Sequence, residues 1–143
     1  MYDPNAGIKG KIFDLDKYYG KIMANKKTLV LGASANPSRY SYLAVNSLQA
    51  KGHEVIAIGK RPGKVGQVQV ETEAKNINDL DTVTLYLNPA NQKQYYDYVI
   101  SLHPKRIIFN PGAENEEFSS LAKENGIITQ EACTLVLLST GQY

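Results

Sequence analysis

The chain has 143 residues, 43% of them hydrophobic and 21% charged, with a net charge of +2. That length suits one domain with a moderate core. So small a charge, with no block of Lys or Arg, argues against a nucleic-acid protein. Apolar runs such as Leu135–Leu138 fall far short of a bilayer span, no leader pattern opens the chain, and the lone Cys133 excludes an internal disulfide framework. The expectation is a cytoplasmic protein with no membrane or nucleic-acid partner.

Residues 1–26 read as an N-terminal extension and 27–143 as the domain. Within the extension Ile12, Leu15, Tyr19, Ile22 and Met23 recur at helical steps. Such a stripe would dock on the domain or on a second copy; alternatively Met23 is the true start. Leu29–Leu31 forms the first predicted strand, and Gly32–Ser38 a turn of small residues. A helical pattern opens near Arg39 and closes at Gly52. Glu54–Ile58 is a second strand ending in the basic turn Gly59–Gly63, and Val65–Val70 alternates as a short edge strand would. Thr72–Leu80 reads as a loop. Asp81–Leu87 is rich in β-branched and aromatic residues and reads as a strand. Asn88 and Pro89 then supply an N-cap and a first helical residue. That helix carries Tyr95, Tyr98, Val99 and Leu102 on one side and stops before Pro104. Lys105–Phe109 is the next strand. Glu114, Glu116 and Glu117 open a helix with Phe118, Leu121 and Ala122 on its buried face. Gly126–Thr129 reads as a last strand and Cys133–Leu138 as a terminal helix.

Strand and helix alternate, which predicts an α/β fold: a three-layer, Rossmann-like, doubly wound parallel sheet of five or six strands in the order 3-2-1-4-5. Ligands in such sheets lie at the carboxyl ends of the strands, at the switch point. Here that point falls between the strands ending at Leu31 and Leu87. Four loops are expected to meet there: Gly32–Arg39, Gly59–Gly63, Asn88–Ala90 and Asn110–Glu114. Gly32 permits a tight turn. Main-chain N–H groups after Gly32 and the hydroxyls of Ser34, Ser38 and Ser41 suit a pyrophosphate, with Ala33, Asn36 and Pro37 in the same loop, and Arg39 adds a bidentate charged contact. Against this stands the plainer reading that Ser38 caps the helix and Arg39 is solvated. At the end of the second strand Gly59, Lys60 and Arg61 replace the acidic residue that would hold a plain ribose. A basic end suits an extra phosphate, as in NADP or coenzyme A, and is also what an ordinary exposed turn looks like. His53 and His103 fall at the amino edge, Cys133 reads as a structural thiol, and no catalytic triad or metal cluster is visible.

The stretches LVLGASANPSRYSY, EVIAIGKRPGKVG, LYLNP, IIFNPGAENEE and QEACTLV together resemble the small stand-alone CoA-binding proteins, which are related to the CoA-binding domain of the succinyl-CoA synthetase α subunit. The resemblance runs from about Lys27 to the C-terminus. Its first motif is Gly32, Ala33, Ser34, Pro37, Arg39 and Ser41, and a later one is Pro111, Gly112, Glu114 and Asn115. It implies a Rossmann-type fold binding coenzyme A or an acyl-CoA, with Lys60, Arg61, Asn88, Pro89, Pro111 and Gly112 as further contacts. The family pattern Asn-Pro-Lys after the second strand is Gly59–Lys60–Arg61 here. The expected role is a binding or regulatory module without catalysis; the alternatives are an NADP-dependent reductase or a partner subunit of an acyl-CoA ligase. The clusters Tyr18–Tyr19 and Tyr95–Tyr96–Tyr98 are of a type enriched at interfaces and favour a homodimer, core packing being the other use for them.

Overall fold

The computed structural model describes residues 25–143; the extension helix read over Ile12–Met23 lies outside them. Seven strands form one sheet. They are β1 (Thr28–Leu31), β2 (Val55–Ile58), β3 (Gly63–Val65), β4 (Val68–Glu71), β5 (Thr82–Leu85), β6 (Arg106–Phe109) and β7 (Ile128–Glu131). Helix α1 (Tyr40–Ala50) joins β1 to β2. Between β5 and β6 run α2 (Pro89–Gln92), a 3-10 turn at Lys93–Tyr95 and α3 (Tyr96–Ser101). Helix α4 (Glu116–Glu124) joins β6 to β7, and α5 (Thr134–Ser139) follows β7.

β1 is buried along its whole length, as a central parallel strand must be. It pairs in parallel with β2 on one side and β5 on the other, so that Leu29 stands beside both Ile56 and Val83. Alternation sends its side chains to two cores. Leu29 and Leu31 join Val83, Leu85, Ile107 and Phe109 beneath α3 and α4, where Val99 and Phe118 close the layer. Val30 joins Ala57 and Val70 on the opposite face, beneath Val45 and Leu48 of α1 and Leu138 of α5. The result is three layers, with the apolar faces of α1, α3, α4 and α5 on the sheet. Tyr96 stacks on Phe118 with ring centroids 4.4 Å apart, and the Tyr98 hydroxyl donates to Lys75 O at 2.6 Å. These tyrosines therefore pack on the domain's own core.

The α/β class expected from the sequence holds, with a correction to strand count and order. The sheet has seven strands in the order 3-4-2-1-5-6-7, and β3 runs antiparallel to β4. Val65–Val70 is not one edge strand. Val65 pairs with Val68, and Gly66, with φ +59°, makes the turn between them. Glycine in the first position of a two-residue hairpin turn supplies this dihedral. Gln49 of α1 clamps the turn: its Nε2 donates to Val65 O at 3.1 Å and its Oε1 accepts from Gln67 N at 3.0 Å. The helix read after Pro89 is likewise two short helices around a 3-10 turn. The terminal strand closes the other edge, with Ile128 beside Arg106.

Candidate functional site

β1 ends in a sharp turn. Gly32 has φ +95°, and a Cβ there would stand 2.8 Å from Tyr86 O, so glycine is required on both counts. The N–H groups of Gly32 and Ala33 both donate to Ile58 O at 2.9 Å. The loop is then braced by its own side chains. Ser34 Oγ accepts from Asn36 N at 3.0 Å, and Asn36 Oδ1 accepts from Ser38 N at 3.0 Å and Ser38 Oγ at 2.9 Å. These are the local turns that Ser and Asn favour. Ser38 is therefore occupied within the loop and does not cap α1. Arg39 holds the N-cap position of α1, its side chain makes no capping bond, and the first turn carries no acidic residue. In α2, by contrast, Asn88 Oδ1 accepts from Asn91 N, and in α4 Asn115 Oδ1 accepts from Phe118 N. In α5, Thr134 N donates to Asn110 Oδ1 at 2.8 Å. Helix α1 keeps an open, positive N-terminus beside a guanidinium, a setting that favours an anion.

Two further loops face this turn. After β5 the chain leaves the sheet at Tyr86, whose N–H donates to Leu31 O at 2.9 Å, and passes through Leu87 to Asn88. After β6, Asn110 anchors the next turn from below: its Nδ2 donates to Thr84 Oγ1 at 2.6 Å and Leu85 O at 2.9 Å. Gly112 N donates back to Glu114 Oε1 at 2.8 Å, which engages that carboxylate in its own turn. Gln92, wholly buried, ties the two loops together by donating to Leu87 O at 2.8 Å and Ala113 O at 2.7 Å.

The three loops enclose a cleft of about 250 Å³ at the carboxyl edge, between β1, β5 and β6. Of the residues expected from the sequence, Gly32, Ser34, Arg39 and Ser41 line one wall, and Asn88, Pro111 and Gly112 line the other. Ala33 is buried beneath the first loop, while Asn36, Pro37 and Pro89 are exposed outside the cleft. Lys60 and Arg61 are exposed on the turn after β2 and do not reach the lining. That turn packs directly on the first loop. A Cβ at Gly59 would sit 2.0 Å from Ala33 O, and one at Gly63 would sit 2.6 Å from Ala35 Cβ. Three residues of the lining fall outside the expected loops, Tyr40, Tyr86 and Leu87, while Ala113 belongs to the expected Asn110–Glu114 loop. Tyr86 and Leu87 read as strand in the sequence, although their place just before Asn88–Pro89 was a signal that the strand was ending. The Tyr86 hydroxyl is shut from solvent beside Thr134 and Thr84 with no hydrogen bond closed, and burial pushes the phenol well above its ordinary value.

The amino edge holds a different cluster. His53 Nδ1 accepts from Lys26 N at 2.9 Å. The Tyr143 ring lies 5.0 Å from the His53 ring and 4.5 Å beneath the Arg106 guanidinium. Burial, then the charges of Lys26 and Arg106, lower the His53 pKa, with Asp81 opposing. His103 is exposed and follows α3 with φ +50°. Cys133 is half-buried at the N-cap position of α5. Among the described residues no group of His, Cys, Asp and Glu is placed to hold a metal, and no helix is long and apolar enough to cross a membrane.

A mostly parallel α/β sheet with an open helix N-terminus over its switch point defines a class, the Rossmann-like α/β domains. Comparison with known proteins narrows it: residues 26–139 match the CoA binding domain family, and the chain belongs to that family. It is similar to a solved structure described as an uncharacterized protein, at 50% identity and a TM-score of 0.82, covering 84% of this chain and 99% of that one. It also shares its fold with a hypothetical protein from Pyrococcus horikoshii OT3, at 21% identity and a TM-score of 0.74, over 90% of this chain and 92% of that one. A Thermus thermophilus protein, at 19% identity and a TM-score of 0.72, covers 92% of this chain and all of its own length. No curated protein matches.

Proposed function

We propose that the protein binds coenzyme A or an acyl-CoA in the cleft between β1, β5 and β6, as a binding or regulatory module. The observation that carries this reading is the N-terminus of α1. It is left uncapped by any side chain and free of acidic residues in its first turn, with Arg39 beside it and the cleft in front. A diphosphate placed there meets main-chain N–H groups, the Ser34 and Ser41 hydroxyls and a fork of guanidinium donors, all of which gain from negative charge. Asn88, Pro111 and Gly112 form the facing wall against which the pantetheine arm would lie. Membership of the CoA binding domain family supports coenzyme A over other diphosphates. Among the described residues the cleft lining holds no Asp, Glu or His, and the Glu114 carboxylate is bonded into its own turn.

The test is calorimetric titration with CoA, acetyl-CoA, NAD and NADP. CoA or its thioester is expected to bind, and NADP to bind far more weakly. Arg39→Ala should weaken CoA by ten- to a hundredfold, the worth of hydrogen bonds to a charged group. The fold should be untouched, because the exposed Arg39 side chain makes no capping bond. Preference for NADP, or an unchanged CoA affinity in Arg39→Ala, would remove this reading.

A further inference from the structure

The cleft is electrically lopsided. Among the described residues its lining holds one charged side chain, Arg39, at the open N-terminus of α1. The facing wall is neutral, made by Leu87 and Asn88 after β5 and by Pro111, Gly112 and Ala113 after β6. Behind that wall the charge turns negative. Glu114 is exposed, and its Oε1 accepts from Gly112 N at 2.8 Å, which holds the carboxylate one hydrogen bond from the lining. Glu116 and Glu117 follow in the first turn of α4. That helix start has little to offer a further anion, because Asn115 caps it and its own glutamates answer the dipole. Lys93, on the adjoining 3-10 turn, lines a separate groove with Glu117 and Glu124.

An acyl-CoA has a polarity of its own. Its diphosphate is anionic, its pantetheine arm is neutral, and its acyl group lies at the free end of that arm. With the diphosphate at Arg39 and the arm laid across the cleft, the free end arrives at the loop after β6. A neutral acyl group meets Leu87, Pro111 and Ala113 there. A second carboxylate meets no cation of the lining and has the Glu114 carboxylate beside it. Like-charge repulsion and lost hydration both count against it.

We propose that the cleft selects CoA thioesters of uncharged acids against those of dicarboxylic acids, and that Glu114 is the residue that sets this preference. This rests on the CoA reading given above. Glu114 acts here through its charge. A glutamine has nearly the same shape and keeps an oxygen to accept the Gly112 N–H, so Glu114→Gln removes the charge and preserves the turn. Because the side chain is exposed, its effect is moderate and is screened by salt.

The experiment is calorimetric titration of the unmodified chain and Glu114→Gln with CoA, isovaleryl-CoA and malonyl-CoA. The two acyl groups have nearly the same shape and differ by one charge. At low salt the unmodified chain should bind isovaleryl-CoA about tenfold more tightly than malonyl-CoA. Glu114→Gln should strengthen malonyl-CoA about threefold and leave CoA and isovaleryl-CoA within about twofold. Salt at about 0.5 M should shrink that gain, since it screens an exposed charge. Equal affinities for the two thioesters, or a preference for malonyl-CoA, overturn the selection. A ratio of the two that Glu114→Gln leaves unchanged overturns the role of Glu114. Binding of CoA with neither thioester closes the free end to any acyl group and overturns the proposal as a whole. In each of these cases the CoA reading stands, whereas failure of the unmodified chain to bind CoA removes both.

Discussion

At the scale of single residues, His53 shows how local contacts set a solution property. Its ring is half-buried, accepts the Lys26 N–H at Nδ1, and lies among Lys26, Arg106, Asp81 and Tyr143. A proton on Nδ1 would cost that hydrogen bond and add a third positive charge. The folded-state pKa is accordingly lowered, first by burial and then by the two cations. The unfolded chain, with the ordinary value near 6.5, binds the proton more readily. The His53 contribution to stability is thus complete above that value and is lost as the pH falls below it toward the folded pKa. Chemical denaturation between pH 7.5 and about 5 should give a stability that declines with acid, and His53→Gln should flatten that decline. An unchanged slope in the variant would show that the proton goes elsewhere. Gly59 gives the opposite lesson. Its replacement of Asn in the family pattern was visible in the sequence, but the reason, an Ala33 carbonyl in the space a Cβ would take, belongs to the packing of two loops.

At the scale of elements, what could be read from the chain was what is encoded locally. Leu29–Leu31, Val55–Ile58 and Ile107–Phe109 are short apolar runs between turn residues, and each lies in a parallel strand, buried throughout in the first and third and at Ala57 and Ile58 in the second. Asn88–Pro89 and Asn115 marked helix starts through side chains that act on the next few residues. The β3–β4 hairpin was missed because Val65–Val70 alternates across its turn. What divides it is Gly66 together with the Gln49 clamp from a helix far away in sequence. Gln92 was also illegible: a polar residue in a surface-type helix turned out wholly buried as the link between two cleft loops. Asn115 completes that link. Its Oδ1 caps α4, while its Nδ2 donates to Gln92 Oε1 and to the Tyr96 hydroxyl, each at 2.9 Å. Asn115→Ala therefore removes a cap, worth about 1 kcal/mol, and leaves a buried acceptor unpaired, worth about 1–3 kcal/mol. Asn115→Asp keeps the cap and loses the donor. Urea unfolding should place Asn115→Asp between the native chain and Asn115→Ala. Equal stabilities for the two variants would mean that the cap contributes nothing, and an Asn115→Asp as stable as the native chain would mean that the bond to Gln92 contributes nothing.

At the scale of the whole molecule, the two edges of the sheet do different work. The carboxyl edge carries the cleft, with an uncapped helix and an exposed arginine. Those groups are left open to solvent, and a ligand is what would complete them. The amino edge is closed on itself. Tyr143 brings its hydroxyl to 2.6 Å from Thr28 Oγ1 at the start of β1 and lies under Arg106 at the start of β6. Its main-chain oxygen accepts from Lys26 Nζ. One side chain thus joins the end of the described chain to the first residues of two strands. Tyr143→Ala should cost about 2 kcal/mol through lost burial and one lost hydrogen bond, which for a domain of this size lowers the melting temperature by about 8 °C. The same variant should bind CoA as the native chain does, since nothing at the amino edge reaches the cleft lining. Arg39→Ala should do the reverse, losing affinity while melting as the native chain does in the absence of ligand. Added CoA should then raise the unfolding free energy of Tyr143→Ala in urea by as much as it raises that of the native chain, because that increment depends only on ligand concentration and affinity. A smaller increment in Tyr143→Ala would show that the two edges are coupled through the strands between them.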